Sequence, residues 1–420
     1  TNIIINGGNE LQGTLPVFGA KNACLPIICA TALASEKVNL SNIPDLKDIH
    51  ILAELLEQIG CKCELNTTNR TLDVTPTIKN HELGDIANKM RASILLMAPL
   101  LATTGKVKIP YPGGCGIGGR PIDITLDGLK ALGATFEDNN DYIIASTTGL
   151  KGAEFTLHFP SVGATEALVM AASLALGKTV LHNVAKEPEI TDMIKMLNAM
   201  GADISFSDES SITINGVKKL NGCSHHVIAD RIITGTYTVL AALCAGEKGI
   251  LIDNCKPETL RTELNVLLEA GVKMDIKEDS IFVPKQEHNF TGIDFETAVY
   301  NGFATDLQSP FMMFMTQAEG ETHVTENIYE NRFMHVDHLN NMGANITTVS
   351  NHIAVVKGKT DLVGKTVKST DLRASAALVI AGLIAKGQTT VEDVRHLDRG
   401  YETLDLFLSQ IGADIKRVED

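Results

Sequence analysis

Six times along this chain an amphipathic helix runs into a glycine and then a short strand, at nearly constant spacing. The signature, Leu-x-x-(Ile/Leu/Met)-Gly-(Ala/Cys), stands at Leu56–Gly60, Leu129–Gly133, Leu197–Gly201, Leu339–Gly343 and Leu408–Gly412. A looser copy at Leu267–Gly271 has Ala270 before its glycine. The glycines lie 73, 68, 70, 72 and 69 residues apart. A glycine just past the last turn is the usual left-handed helix cap, which accounts for its fixed place. A second, Ala-rich helix alternates with the first, over roughly 21–34, 91–103, 164–176, 231–245, 307–318 and 372–386. These are apolar on nearly all sides, and such helices sit inside a layer. Each leads through a turn into a β-rich run such as Lys106–Ile109 or Thr179–Leu181.

The unit is therefore mixed α/β. A period near 70 is too long for a solenoid repeat and predicts closed, pseudo-symmetric domains. Six units make two lobes of three most simply. The expected division is 21–228, carrying a loop at 111–121, against 1–20 plus 229–420, carrying Asp306, Arg373 and Arg399. The first strand, Asn2–Ile5, then pairs with the C-terminal lobe. A ligand belongs in the cleft between lobes, which should close on it.

A chain of 420 residues, 44% hydrophobic and 21% charged, has the composition of an ordinary water-soluble globular protein. No apolar run reaches the length of a membrane span, and no secretory signal is visible at the N-terminus. Eight cysteines without metal-binding spacing suit a reducing, cytoplasmic compartment, and no metal is expected. A net charge of −15 argues against nucleic acid or an anionic membrane as partner. An anionic substrate would need a few cations placed against that field.

Residues 110–121 read Pro-Tyr-Pro-Gly-Gly-Cys-Gly-Ile-Gly-Gly-Arg-Pro, with five glycines in seven positions. Such a segment supports little packing, but it can bring backbone amides, the Cys115 thiol and the Arg120 guanidinium over an anion. Gly114, Gly116 and Gly119 also match a dinucleotide-binding turn after a strand at Val107–Ile109, whereas the Walker loop lacks its Gly-Lys-Ser/Thr. A glycine loop with an incidental cysteine is the plain alternative.

The buried helices start with cations: Lys21, Arg91, Arg231 and Arg373 lie in or just before first turns, where the helix dipole disfavours them. Repetition at equivalent positions suggests that these starts converge on one strongly charged anion, with Arg120 and Arg399 completing the cage. The fifth buried helix instead opens on Thr305-Asp306. Asp306 is either an ordinary N-cap or a carboxylate facing a cationic pocket, able to serve as a base for a hydroxyl.

These residues, with several further motifs, resemble the UDP-N-acetylglucosamine enolpyruvyl transferase family. The likeness runs through Lys21-Asn22, Arg91, the cysteine loop Pro112–Pro121, Ser161-Val162-Gly163-Ala164-Thr165, Glu187-Pro188-Glu189 and Asp230-Arg231. It continues through Thr305-Asp306, Asn331-Arg332-Phe333-Met334-His335, Asp371-Leu372-Arg373-Ala374 and Asp398-Arg399-Gly400-Tyr401, end to end and in order. Departures are Gly116 and Gly119 where many relatives have Thr and Ala, Thr125 where many have His, and Ile233 where Glu is frequent.

The resemblance implies an inside-out α/β barrel in each lobe and the first committed step of peptidoglycan synthesis. The enolpyruvyl group of phosphoenolpyruvate passes to the 3-hydroxyl of UDP-N-acetylglucosamine, with loss of phosphate and no cofactor. It implies Cys115, Asp306, Lys21 and Arg399 as catalytic, Cys115 being the acid at C3 or an aid to product release. Lys21, Asn22, Arg120, Arg373 and Arg399 would hold phosphoenolpyruvate. Asn22, Arg91, Arg120, Pro121, Ile122, Asp123, Ile124, Pro160, Ser161, Val162, Gly163, Asp306 and Ile328 would hold the nucleotide sugar. A shikimate-type enolpyruvyl transferase and a nucleotide-sugar-binding paralogue without turnover are the competing readings. The loop cysteine separates the first, and intact Cys115, Asp306 and Arg399 speak against the second.

Overall fold

The computed structural model describes residues 1–111, 122–139 and 141–420. The chain divides into two compact units, one of Thr1–Phe18 with Ala229–Asp420 and one of Gly19–Ile228, each with its own hydrophobic core. The division falls after Phe18, two residues before the expected point. Gly19 N–H donates to the Asn42 carbonyl and Ala20 N–H to that of Ile228, which fastens both residues to the second unit.

One sheet pattern recurs. In the Gly19–Ile228 unit, the strand Val38–Ser41 pairs in parallel with Ser224–His226 on one side and antiparallel with Thr71–Thr75 on the other; Lys62–Asn66 completes the hairpin. Lys178–His182 is flanked in the same way by Glu154–Thr156 and by the hairpin Ser211–Asn215/Asp203–Asp208. Lys106–Pro110 has the hairpin Tyr142–Ser146/Thr135–Asp138, and a single parallel bridge from Glu82 to Lys108 stands where the others have an edge strand. The other unit repeats this around Ala245–Asp253, Gly320–Thr325 and Gln388–Glu392, with parallel edges Leu11–Pro16, Phe295–Glu296 and Thr366–Lys368. There Asn2–Asn6 lies between Gln388–Glu392 and Asp414–Val418, antiparallel to both.

The buried helices follow the apolar runs. Lys21–Ala30, Val162–Ser173, Arg231–Cys244 and Leu372–Ile384 are buried along nearly their whole length. Arg91–Leu96 and Thr305–Leu307 are short 3-10 turns that feed the helices Met97–Thr104 and Gln308–Met315. The third buried helix starts at Val162, two residues early, because Ser161 Oγ accepts from Ala164 N–H as its cap. The glycines at 60, 133, 201, 271, 343 and 412 all have φ between +100° and +115°, so each copy of the signature ends in the same left-handed turn.

A further equivalence joins the sheets. Asn42, Asn183, Asn254 and Asn327 each stand just past the strand that carries the parallel edge. Their side-chain amides donate to the carbonyls of Val227, Leu157, Val17 and Thr297, each the first residue beyond its edge strand.

Candidate functional site

In the unit that contains it, Asp306 lies within the 3-10 turn Thr305–Leu307 and caps nothing: the residue before the turn is Ala304, and no side chain accepts from the first turn's amides. The N-cap alternative is therefore corrected. The carboxylate turns instead to two guanidinium groups. Oδ1 accepts from Arg332 Nη1 at 3.0 Å and Oδ2 from Arg373 Nη2 at 3.4 Å. Burial alone would raise its pKa, but Arg373, Arg332 and, more weakly, Arg231 hold it well below the usual carboxylate range. About a quarter of the side chain still meets solvent, so the group is accessible and ionised.

Arg373 is placed by local chemistry. Asp371 caps the helix Leu372–Ile384, accepting from Arg373 N–H at 2.9 Å and Ala374 N–H at 3.0 Å, which offsets the cost of a cation in the first turn. Its guanidinium also bonds Tyr401, whose hydroxyl lies 2.7 Å from Thr236 Oγ1 in the core. Asp230 caps Arg231–Cys244 in the same manner, and Arg231 stacks on Tyr300 with its Cζ 5.3 Å from the ring centre. In Asp398-Arg399-Gly400-Tyr401, three residues serve to present the fourth. Arg417 grips Asp398 through two bonds of 2.7 and 2.8 Å, Tyr401 is buried, and a Cβ at Gly400 would stand 2.6 Å from Leu372 Cδ2. Arg399, at the end of the short helix Arg395–Asp398, is left exposed.

His335 is no acid–base candidate. It is buried with Nε2 3.1 Å from Met312 Sδ, and burial pushes it down to about 4, so it is neutral near pH 7.

In the other unit, Lys21 opens the helix Lys21–Ala30 and its Nζ lies 3.2 Å from Asp48, both side chains being largely buried. Asn22 beside it is exposed, and Arg91 is half-buried at the start of its 3-10 turn. Asp123 and Ile124 open the helix Asp123–Ala131, and Pro160–Gly163 lead into Val162–Ser173. The structure brings these two segments together. His158 Nε2 lies 3.5 Å from Asp123, and the helices approach so closely that a Cβ on Gly128 would stand 2.5 Å from Leu168. Cys115, Arg120 and Pro121 lie outside the described residues.

Two residues that the sequence reading passed over stand beside this site. Arg332, which the sequence marks only through the motif Asn331–His335, makes the shorter of the two contacts to Asp306. Glu326 is wholly buried and bonds Thr305 Oγ1 at 2.8 Å and Gln308 Nε2 at 3.3 Å, immediately on either side of Asp306 and Leu307. No local pattern marks a buried glutamate, which looks on paper like any surface acid. Among the described residues there is no group of three or more His, Cys, Asp or Glu side chains able to hold a metal ion, and no helix long and apolar enough to cross a membrane.

The profile of the EPSP synthase (3-phosphoshikimate 1-carboxyvinyltransferase) family matches residues 5–406. The UDP-N-acetylglucosamine 1-carboxyvinyltransferase of Lawsonia intracellularis is 44% identical over 419 residues, covering 100% of this chain and 99% of the relative. Its namesake from Acidiphilium cryptum is 46% identical over 420 residues, with the same coverage. The chain belongs to the enolpyruvyl transferase family. Within that family it groups with the UDP-N-acetylglucosamine 1-carboxyvinyltransferases. The fold agrees: the crystal structure of the enolpyruvyl transferase NikO from Streptomyces tendae superposes with a TM-score of 0.90 at 25% identity, over 99% of this chain and 98% of that one. The α/β elements that carry Asp306, Arg373 and Lys21 thus belong to an enolpyruvyl transferase architecture.

Proposed function

We propose that this enzyme transfers the enolpyruvyl group of phosphoenolpyruvate to the 3-hydroxyl of UDP-N-acetylglucosamine and releases phosphate. The observation that carries the reading is end-to-end identity of 44–46% with relatives of that name. The sugar hydroxyl attacks C2 while C3 gains a proton, giving a tetrahedral ketal. C3 then loses a proton as the C2–O bond to phosphate breaks.

The charges suit that chemistry. Phosphoenolpyruvate carries a phosphate and a carboxylate, and Lys21, Arg120, Arg373 and Arg399 make a charge-matched clamp with Asn22. Unliganded Asp306 is a poor base, because two guanidinium groups lower its proton affinity. It is better suited to orient the hydroxyl. It gains basicity once Arg373, which reaches it only at 3.4 Å, turns to the incoming anion. Cys115 serves as the acid at C3 or assists product release. The nucleotide sugar lies along Asn22, Arg91, Ile122–Ile124, Pro160–Gly163 and Ile328 together with Arg120 and Pro121.

On this reading the recurring sheets are six pseudo-repeats forming two inside-out lobes of three, with boundaries at 18/19 and 228/229. Excluding water from the reacting centre would protect the charge that develops at C2. The reaction is cytoplasmic and opens peptidoglycan synthesis. The test is phosphate release from phosphoenolpyruvate. UDP-N-acetylglucosamine should support turnover and shikimate 3-phosphate should not; the reverse preference would make the protein a shikimate-type transferase.

A further inference from the structure

Glu326 has none of its surface exposed, the least of any carboxylate among the described residues. Burying a carboxylate is costly unless hydrogen bonds replace its lost water, and here five do. Oε2 accepts from Thr297 Oγ1 at 2.7 Å, Ile328 N–H at 3.0 Å and Tyr329 N–H at 3.3 Å. Oε1 accepts from Thr305 Oγ1 at 2.8 Å and Gln308 Nε2 at 3.3 Å.

The two oxygens thus hold two different pieces of backbone. One fastens the loop that carries Ile328. The other fastens the turn that carries Asp306, between Thr305 and Gln308. Gln308 Nε2 extends the link by donating to the Arg332 carbonyl at 3.1 Å, and Arg332 Nη1 returns to Asp306 at 3.0 Å. The circuit runs Glu326, Gln308, Arg332, Asp306, Thr305 and back to Glu326. Glu263, also buried, supports the same turn one residue earlier by accepting from Ala304 N–H at 3.4 Å.

We infer that Glu326 is a positioning residue for enolpyruvyl transfer: through Thr305 and Gln308 it sets Asp306 against Arg332, and through the Ile328 amide it fixes the nucleotide-sugar loop relative to both. The inference rests on the proposed roles of Asp306 and Ile328. A carboxylate is needed because five donors meet one side chain, and an amide supplies a single acceptor oxygen. In Glu326→Gln the amide oxygen is best placed at the three-donor end. Its NH2 then faces Gln308 Nε2, donor against donor, so the Asp306 arm loosens while the Ile328 arm stays.

The experiment is steady-state kinetics on Glu326→Gln in the wild-type and Asp306→Asn backgrounds, with melting temperatures alongside. In the wild-type background kcat should fall roughly 10- to 100-fold, the cost of a misplaced reacting group. KM for UDP-N-acetylglucosamine should stay within about threefold, since ground-state binding is kept. In the Asp306→Asn background the same change should cost little, because the group it positions is already disabled. Thr305→Val removes one bond at constant shape and should give a smaller loss with the same dependence on Asp306, so it carries the test if Glu326→Gln folds poorly. Wild-type kcat in Glu326→Gln or Thr305→Val, or an equal fractional loss in both backgrounds, overturns the proposal. Asp306→Asn measured alone reports separately on the role of Asp306.

Discussion

At the scale of single residues, the informative feature is a carboxylate that gains charge partners instead of a helix cap. Asp306→Asn should lower turnover by roughly two to four orders of magnitude, the range for losing acid–base assistance, with nucleotide-sugar affinity largely kept. Near-wild-type turnover would remove the functional role. The sign of the pH dependence follows from the depressed pKa. A group held below its unfolded value of about 3.9 contributes stability above that pH and loses it only as pH falls through the lower, folded value. In the free enzyme Asp306 therefore stays ionised through the mildly acidic range, and the acid limb of kcat/KM against pH should keep its midpoint in Asp306→Asn. A shifted midpoint would contradict the ion pairs with Arg332 and Arg373.

Thiol chemistry belongs to the same scale. Burial pushes Cys61 up to about 11 and Cys63, Cys244 and Cys255 up to about 12, and raises Cys29 and Cys223 as well. Thiols so placed hold little thiolate near neutrality. An epoxide phosphonate such as fosfomycin should therefore alkylate Cys115, faster with UDP-N-acetylglucosamine and slower with phosphoenolpyruvate. Cys115→Asp should remain active and escape. Mass spectrometry finding adducts spread over Cys61, Cys63 or Cys223 would show that the loop thiol is not the one beside the anion site.

Elements in this chain are stopped and started by a few residues, and the glycine signature can be tested at one of them. Gly343 sits at φ +115°, and a Cβ there would stand 2.6 Å from the Asp361 carbonyl oxygen. Gly343→Ala should lose about 1–3 kcal/mol in denaturant unfolding, the cost of a side chain forced into that region. Gly163 offers the contrast, since nothing lies within 4 Å of its Cβ position and its φ lies outside the left-handed region. Gly163→Ala should fold as well as wild type, so a drop in nucleotide-sugar affinity, read by calorimetry, would report on the site alone. Unchanged affinity would remove Gly163 from it. The glycines that end these helices were legible because each depends on neighbours within one turn, whereas the side-chain caps Ser161, Asp230 and Asp371 were not marked by the sequence and Asp306 caps nothing. The four asparagines that tie strands to their parallel edges were not legible either: Asn42 and its acceptor Val227 are 185 residues apart.

For the whole molecule, two separate cores predict separable folding. Residues 19–228 are continuous in sequence and contain one complete core, so this fragment should fold alone with a single cooperative transition and no transferase activity. Deleting residues 1–18 should unfold the other unit, because Asn2–Asn6 is an interior strand there and Leu11–Pro16 an edge. Circular dichroism melts of the two variants decide this; an unfolded 19–228 fragment would mean that the units depend on each other for stability.

Residue order alone carries the alternation of exposed and buried helices, the glycine caps, the mixed α/β class and the motifs of an enolpyruvyl transferase. All of these follow from local periodicity, backbone conformation or short residue patterns. It takes the folded chain to show which strand supplies each parallel edge, that Asp306 faces Arg332 and Arg373 instead of capping its own helix, and that Glu326 is an interior carboxylate serving five donors. Those partners lie 26 and 67 residues from Asp306 along the chain. Their pairing depends on distance in space and on the low polarity of a packed interior, which exist only after the strands and helices have closed around them.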